Sequence, residues 1–263
     1  MTKNIIKVGE RMYKYKWDIY LDLPFDKFIK IDAHAHIQNL GYPFNVGISE
    51  EEFIKIMDVY NIEKAVVCDI NNDAILKSIK KHPKRLIGIV WVDPRDENAK
   101  NVVMQYINEG FRGIKLHPLL HMFSPSSEPS KRILSVAQDL GVPVFIHSGH
   151  PPTSLPWQID DLARSFPDVP IVMVHMGHGN AFYIQGAIEI AERLENIYLE
   201  TSGMPMSSKI AEAYEAIPDR IMFGTDIPCH HPAVEITKII ASGILNDALR
   251  KVFYENAKKL LNI

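Results

Sequence analysis

The chain has 263 residues, of which 46% are hydrophobic and 23% are charged, and its formal net charge is -3. This composition is ordinary for a globular protein, and the length allows two small domains or one large barrel or α/β domain. No basic face or tail stands out, which argues against a nucleic-acid or membrane-surface binder.

The two cysteines, Cys68 and Cys229, are too few for a disulfide framework or a cysteine-based zinc knuckle. We interpret both as free thiols in a reducing compartment. The first residues lack the apolar core of a signal peptide, and no run approaches the roughly 18 apolar residues of a membrane span. The expected location is therefore the cytoplasm.

Residues 1–28 mix polar and aromatic side chains without a clear period, which predicts an N-terminal arm on the outside of the fold or over one end. From residue 29 onward, short apolar runs alternate with amphipathic segments. The predicted strands cover 29–36, 64–70, 85–92, 111–117, 142–147, 170–175, 196–201 and 220–226. The predicted helices cover 50–60, 73–81, 98–108, a segment up to 140, 157–166, 183–194, 208–216, 232–241 and a closing helix at 247–261.

Eight strand–helix units in one unbroken alternation predict a parallel sheet of the α/β class, and their total length is typical of a closed (β/α)8 TIM barrel. We expect one such domain over residues 29–263. A doubly wound open sheet is the alternative, but it would usually carry a glycine-rich turn after the first strand. Here that place is taken by His34 and His36. No glycine-rich phosphate-binding motif occurs in the chain.

Polar residues that can bind a metal end several of the predicted strands. In a barrel these C-terminal ends form one rim, where active sites are built. Each residue alone has an ordinary structural explanation, but together they indicate a metal site in which three nitrogen or oxygen ligands leave one position open. These residues are His34, His36, Lys115, His117, His147, His175 and Asp226.

The motifs Asp-Ala-His-Ala-His (32–36), Gly-Ile-Lys-Leu-His-Pro (113–118) and Gly-Thr-Asp (224–226), with one histidine ending each of strands five and six, resemble the amidohydrolase superfamily. The chain is most similar to the amidohydrolase-related branch of TIM-barrel metal-dependent hydrolases that includes aminocarboxymuconate-semialdehyde decarboxylase. The resemblance spans about residues 29–261. It implies a divalent metal, expected to be zinc, as one or two ions, and it allows a homodimer.

Carried over by position, His34 and His36 are the paired ligands of strand one, and His147 is the ligand of strand five. Asp226 is both ligand and proton shuttle. His175 is a second-metal ligand in two-metal members and a catalytic residue in one-metal members. In some two-metal members the position of Lys115 is a carboxylated lysine that bridges the ions. The alternatives are an unmodified lysine that binds substrate or pairs with Asp226, and a structural lysine.

Three further residues are candidates for substrate binding. His117 shares the face of Lys115, although the following Pro118 also suits a plain turn. His178 lies in the loop after strand six, where it could line a pocket or face the solvent as part of an ordinary loop. Arg95 lies just beyond strand three and could hold an anionic group.

The sequence favours a hydrolase in which metal-activated water attacks an amide, lactone or ester carbonyl of a small molecule. Asp226 would handle the proton and His175 would help to stabilise the oxyanion. A metal-dependent non-oxidative decarboxylase, a lyase of carboxylated aromatic or muconate-like acids, is the alternative. A barrel that only binds a ligand is less consistent with a complete set of metal-binding residues.

Overall fold

The structure is a computed structural model that describes Phe25 and residues 27–37, 39–41 and 43–263. The predicted N-terminal arm over 1–28 lies outside the described residues, apart from Phe25, Lys27 and Phe28. Phe25 is buried against Tyr60, and Phe28 stacks on Phe253 with ring centroids 6.0 Å apart. The chain thus enters the first strand packed against the body of the protein.

Eight parallel strands form the sheet, as predicted. Their order in the sheet follows their order in the chain, and the third strand is interrupted at Ile89. The strands are β1 Lys30–Ala35, β2 Ile62–Val67, β3 Leu86–Gly88 with Val90–Trp91, β4 Ile114–Leu116, β5 Val144–His147, β6 Ile171–Val174, β7 Ile197–Glu200 and β8 Ile221–Met222. A short antiparallel hairpin, Asn39–Leu40 with Val46–Gly47, follows β1.

Hydrogen bonds between β1 and the segment around β8 close the sheet into a barrel. The amide of Ala33 donates to the carbonyl of Phe223 at 2.9 Å, and the carbonyl of His34 accepts from the amide of Asp226 at 2.8 Å. The amide of His36 donates to the carbonyl of Ile227 at 2.7 Å. This seam brings the first and last strands together where their metal-binding side chains lie.

The helices surround the sheet and agree with the predicted segments. Ser49 and Glu52 form a capping box at the first helix, and Gly141 ends another helix in the left-handed conformation with φ 63°. The helices are Glu50–Val59, Asn72–Lys81, Ala99–Asn108, Pro118–His121, Glu128–Leu140, Pro156–Ser165, Ala181–Arg193, Ser207–Ala216, Pro232–Ala241, Asn246–Arg250 and Asn256–Leu261, with a π-helical turn at Lys251–Glu255 between the last two.

Two layers of apolar side chains make up the core. One lies between the sheet and the helices, and the other fills the barrel and includes Ile31, Val66, Phe145 and Met222. Within the part of the chain that the structure describes, no helix is both long and apolar enough to cross a membrane. The inner layer ends at the C-terminal ends of the strands, where polar side chains take over.

Candidate metal centre

The candidate ligands predicted from the sequence meet at one end of the barrel, where the strands end. His34 and His36 lie at the end of β1, and their ring centroids are 4.7 Å apart. His175 directly follows β6, and Asp226 lies just beyond β8. The six residues predicted to build the centre are all buried: His34, His36, Lys115, His147, His175 and Asp226.

The Asp226 carboxylate lies at the middle of this group. Its Oδ1 is 3.4 Å from Nε2 of His34 and 3.3 Å from Nε2 of His36. One ligand atom each from His34, His175 and Asp226 lie within 4.8 Å of one another. Burial alone would raise the pKa of Asp226, but hydrogen bonds from His34 and His36 hold it well below its ordinary value. The carboxylate is therefore ionised.

The hydrogen bonding of His36 leaves a gap that a cation would fill. Its Nδ1 lies 2.9 Å from the carbonyl of Cys68, so this nitrogen carries a proton and donates it. An unprotonated Nε2 would then face the Asp226 oxygen, and two acceptors this close repel unless a proton or a cation lies between them. Burial would lower the pKa of His36, but Cys68 and Asp226 raise it to about 10. Either a proton or a divalent cation between Nε2 of His36 and the Asp226 oxygen would remove this repulsion.

Other donors in the group also fit a divalent cation. Burial holds the pKa of His175 well below its usual value, so this ring is neutral and keeps a lone pair. Nδ1 of His34 is buried and has no hydrogen-bond partner among the described residues. Neutral imidazoles and a carboxylate are typical ligands of first-row divalent metals. The residues present therefore fit such an ion.

Two residues orient His175: Glu200, the last residue of strand β7, and Ser202, which follows that strand. Its Nδ1 lies 3.0 Å from the carbonyl of Ser202 and 3.0 Å from the Ser202 hydroxyl. Because a carbonyl only accepts, Nδ1 carries the proton and Nε2 keeps the lone pair. The buried Glu200 carboxylate accepts from the Ser202 hydroxyl at 2.7 Å and from the amide of His175 at 3.2 Å. Glu200 and Ser202 therefore fix both the position and the tautomer of His175.

Asp32 stabilises the seam between β1 and β8 beneath the candidate ligands. Its carboxylate accepts from the amide of His34 at 3.1 Å, from the amide of Thr225 at 2.9 Å and from the Thr225 hydroxyl at 2.5 Å. Burial raises the pKa of Asp32 to about 7. Asp32 joins the first strand to the segment after the last strand and does not face the candidate metal centre.

Beside the ligand group, four rings form a nearly parallel stack. Trp91 stacks on His117 at 5.5 Å and 10°, and His117 stacks on His147 at 3.9 Å and 15°. His147 in turn lies against His150, with Nε2 and Nδ1 of the two rings 2.9 Å apart. His147 is 4.9 Å from His175 between ring centroids, but it is not part of the compact triad with Asp226. Its role as a ligand stays a prediction.

Lys115 points into the same end of the barrel and is fully buried. Its Nζ lies 3.5 Å from Nε2 of His34 and 5.8 Å from the centroid of the Trp91 ring. Among the described residues, no carboxylate lies within ion-pair distance of this ammonium. Burial lowers the pKa of Lys115. The nearby Asp226 and Glu200 carboxylates oppose this shift through space without contacting the amine, so Lys115 is a buried amine beside the metal-binding set that forms no ion pair among the described residues.

The remaining predicted residues lie around this group. His117 caps the short helix Pro118–His121, where its Nδ1 accepts from the amide of Leu120 at 3.0 Å, and burial lowers its pKa to about 2. The partly buried His178 lies 4.0 Å from His150 and 5.6 Å from His175 between ring centroids. Arg95 is half-exposed and is paired with Asp93 at 2.7 Å rather than with the ligand group.

Three residues of the site were not identified from the sequence. Cys68 follows β2, Trp91 ends β3 and Glu200 ends β7, so all three obey the strand-end rule that identified the histidines. Cys68 and Trp91 were passed over because a thiol and an indole at the end of an apolar strand are typical of an ordinary core. Glu200 is 0% exposed, and only its contacts with Ser202 and His175 distinguish it from a solvated carboxylate.

A family model described as amidohydrolase matches residues 31–263. The chain therefore belongs to the amidohydrolase family, as its motifs predicted. A search of curated proteins finds no match. Membership of the family and the donor set support a metal-dependent enzyme.

Solved structures share the fold. A 2,6-dihydroxybenzoate decarboxylase complexed with 2,6-dihydroxybenzoate is 17% identical, with a TM-score of 0.72 over 90% of this chain and 100% of that chain. A 5-carboxyvanillate decarboxylase from Novosphingobium aromaticivorans, complexed with manganese, is 16% identical, with a TM-score of 0.73 over 90% and 97%. A "probable 2-pyrone-4,6-dicarboxylic acid hydrolase" from Acinetobacter baumannii is 17% identical, with a TM-score of 0.69 over 89% and 99%. The decarboxylases agree with the branch expected from the sequence, and identities this low establish the common fold alone.

Proposed function

We propose that this chain is a metal-dependent non-oxidative decarboxylase of an aromatic or otherwise unsaturated carboxylic acid. The observation that carries the proposal is the buried amine of Lys115, which lies next to His34 and has no carboxylate partner among the described residues. A buried cation needs a counter-charge. A carboxylated substrate supplies one, whereas a neutral amide or ester does not.

The ring stack supports a flat, conjugated substrate. Trp91, His117 and His147 give the site a wall of nearly parallel rings, with burial keeping the histidines neutral. Planar rings pack well against such surfaces. His178, at the outer end of the stack, would contact the part of the substrate nearest the solvent. Arg95 would reach the substrate only after leaving Asp93.

We assign His34, His36 and Asp226 as the residues that hold the cation, with His147 and His175 close enough to contribute. When bound, a divalent cation supplies Lewis-acid polarisation of a substrate oxygen. Lys115 would bind an anionic group of the substrate. The sequence predicts zinc, whereas one structural neighbour contains manganese. Both metals should therefore be tested.

Decarboxylation breaks one carbon–carbon bond and places a proton on the ring carbon that loses the carboxylate, with carbon dioxide as the second product. His175 suits the delivery of this proton, because Ser202 holds its Nδ1–H and leaves Nε2 to take up and release a proton. The ionised Asp226 carboxylate can stabilise the imidazolium form of His175 during that exchange. Glu200 keeps the ring oriented throughout.

Hydrolysis of a carboxylated lactone is the second candidate. Lys115 would bind such a substrate equally well, and a neighbour of the same fold is named as a probable 2-pyrone-4,6-dicarboxylic acid hydrolase. In this case a carboxylated Lys115 that bridges two ions remains a proposal, supported by the burial that lowers its pKa. Intact mass measurement of the metal-loaded protein would detect the added carboxylate.

The test is to incubate zinc-loaded and manganese-loaded protein with carboxylated phenols and muconate-like acids and to measure release of carbon dioxide. A parallel panel of lactones, amides and esters reports hydrolysis. We expect carbon dioxide release that chelation abolishes and that Asp226→Asn does not show. Hydrolysis of the second panel without carbon dioxide release from the first would overturn the proposal in favour of the second candidate.

A further inference from the structure

Cys68 lies beside the metal-binding group on a strand to which the sequence assigned no function. It directly follows Val67 at the C-terminal end of β2, and its amide donates to the carbonyl of Ala35 at 3.3 Å. This bond fixes Cys68 against β1, whose end carries His34 and His36. Cys68 is 0% exposed and continues the series of side chains that fill the inside of the barrel.

The thiol is close to both histidines of β1. One ligand atom each from His34, His36 and Cys68 lie within 4.8 Å of one another. Sγ also lies 3.5 Å from Nδ1 of His36, whose proton is donated to the Cys68 carbonyl, so Nε2 is the nitrogen of His36 that could bind a cation. The ligand atoms of His34, His175 and Asp226 also lie within 4.8 Å of one another. The two sets share His34, so a ligand group containing sulfur lies next to one containing a carboxylate.

His34 supplies a second and independent observation. It is 1% exposed, and its Nδ1 has no hydrogen-bond partner among the described residues. A buried imidazole nitrogen without a partner is costly. A cation bound through Nδ1 removes that cost and leaves the proton on Nε2, which faces the Asp226 carboxylate. Cys68 and His36 are the neighbouring groups that could complete the set.

We propose that His34, His36 and Cys68 form a cation position that contains a thiolate, so that the centre has sulfur as well as nitrogen and oxygen ligands. A thiolate is a soft ligand that favours zinc over manganese, which prefers oxygen. Binding converts the thiol to thiolate and releases its proton to solvent. The ligand set therefore selects zinc. The proposal rests on the metal binding that the proposed function also needs, but not on the reaction performed.

The first test is to strip the full-length protein of metal, titrate it with cobalt(II) and record its absorption spectrum. Wild type should show a thiolate-to-cobalt charge-transfer band in the near ultraviolet. Cys68→Ser should lose this band, and Cys68→Ala serves the same purpose if the serine variant does not fold. Cys229→Ser is the matched control, because Cys229 is the other thiol near the site, with its amide donating to the carbonyl of Asp226 at 2.8 Å. It should keep the band.

The second test is competition between zinc and manganese, measured by equilibrium dialysis. Loss of a ligand should weaken zinc binding by at least the roughly 10–100-fold seen when outer partners of a metal site are removed. Manganese binding to Cys68→Ser should change far less. A band that persists in Cys68→Ser, a band absent from cobalt-loaded wild type, or equal weakening of both metals would overturn the proposal. Carbon dioxide release by a protein without the band would leave the proposed function standing.

Discussion

The amine of Lys115 lies 3.5 Å from Nε2 of His34, the same nitrogen that lies 3.4 Å from the Asp226 carboxylate. This imidazole nitrogen has one lone pair, which can accept from Lys115 or bind a cation, but not both. Metal loading and the hydrogen bonding of Lys115 are therefore coupled. A cation bound by His34, at Nε2 or at Nδ1 with the proton on Nε2, would remove this acceptor and free the Lys115 amine to bind the substrate.

Lys115→Met should leave the fold as stable as wild type or more stable, since it removes a buried amine that has no carboxylate partner among the described residues. Activity should fall by about 100-fold or more, because the anionic group of the substrate loses its counter-charge. Thermal unfolding and steady-state kinetics measure the two effects.

The matched control is Lys30→Met, at a second buried lysine. Its Nζ donates to the backbone carbonyls of Phe25, Phe28 and Tyr60. Leaving these acceptors without a donor should destabilise the protein by roughly 2 kcal/mol or more. Equal destabilisation by the two substitutions would contradict the distinction drawn between the two lysines.

Glu200→Gln should lower kcat by about 10–100-fold while the protein binds as many zinc ions as wild type does. The amide can replace only one of the two carboxylate oxygens, so the Ser202 amide, which donates to the other oxygen, loses its acceptor, and Ser202 no longer holds the His175 ring in place. The pH profile of kcat should therefore shift, which a merely structural defect would not cause. Ser202→Ala keeps the backbone carbonyl as an acceptor for His175 and should show a smaller loss. An unchanged pH profile in Glu200→Gln would remove this positioning role.

Adding zinc at 100 times its dissociation constant should raise the free energy of unfolding by about 2.7 kcal/mol, and chelation should reverse the gain. Asp226→Asn should lose most of this metal-dependent gain, because it removes the charge that faces His34 and His36. Denaturant unfolding with and without metal provides the measurement. Asp161→Asn, at an exposed position on the helix Pro156–Ser165, is the control and should respond to zinc as wild type does.

Glu50, the first residue of the helix Glu50–Val59, makes the free energy of unfolding depend on pH. Burial alone would raise its pKa, but hydrogen bonds from Lys81, Ser78 and His82 together outweigh it and lower the pKa from its ordinary value to about 2. A depressed carboxyl pKa stabilises the fold above the unfolded-state value of 4.5, and this contribution is lost as the pH falls through about 2.

Glu50→Gln should therefore destabilise the protein at pH 7 by about 1 kcal/mol after allowance for solvent screening. The difference from wild type should shrink as the pH approaches 2. Urea unfolding at a series of pH values measures it. Glu51→Gln, which removes an exposed i,i+4 pair with Lys55, should show no measurable change at any pH. A gap between Glu50→Gln and wild type that stays constant with pH would show that the charge is not its cause.

The barrel and several residues of its candidate site could be predicted from the periodicity of apolar residues along the chain. Strands buried on both sides have continuous apolar sequences, and the helices keep one apolar stripe, so the alternation could be followed along the chain without knowledge of tertiary contacts. His34 and His36 could be paired because two residues in a strand project to the same side. The ligand group of His34, His175 and Asp226 then followed from the rule that strand C-termini share one rim.

What the sequence missed depends on the conformation of the loops that follow the strands. His147 pairs with His150 because the loop after β5 turns back toward the strand. Arg95 folds onto Asp93 only two residues away, which a strand-end rule cannot foresee. Pro118 was compatible with a plain turn, but it begins a short helix that His117 caps. Whether Lys115 is modified is a chemical question that side-chain placement alone does not decide.

The seam between β1 and β8 makes the metal centre a late product of folding. Asp32 and Thr225, which join the two strands beneath the ligands, are 193 residues apart in sequence. Contacts of such long range carry the largest loop-closure cost and form late in folding. We therefore expect a cation held by His34 and Asp226 to stabilise the closed barrel and not the transition state that precedes closure. It should slow unfolding without accelerating folding, so that the metal sets the lifetime of the native state.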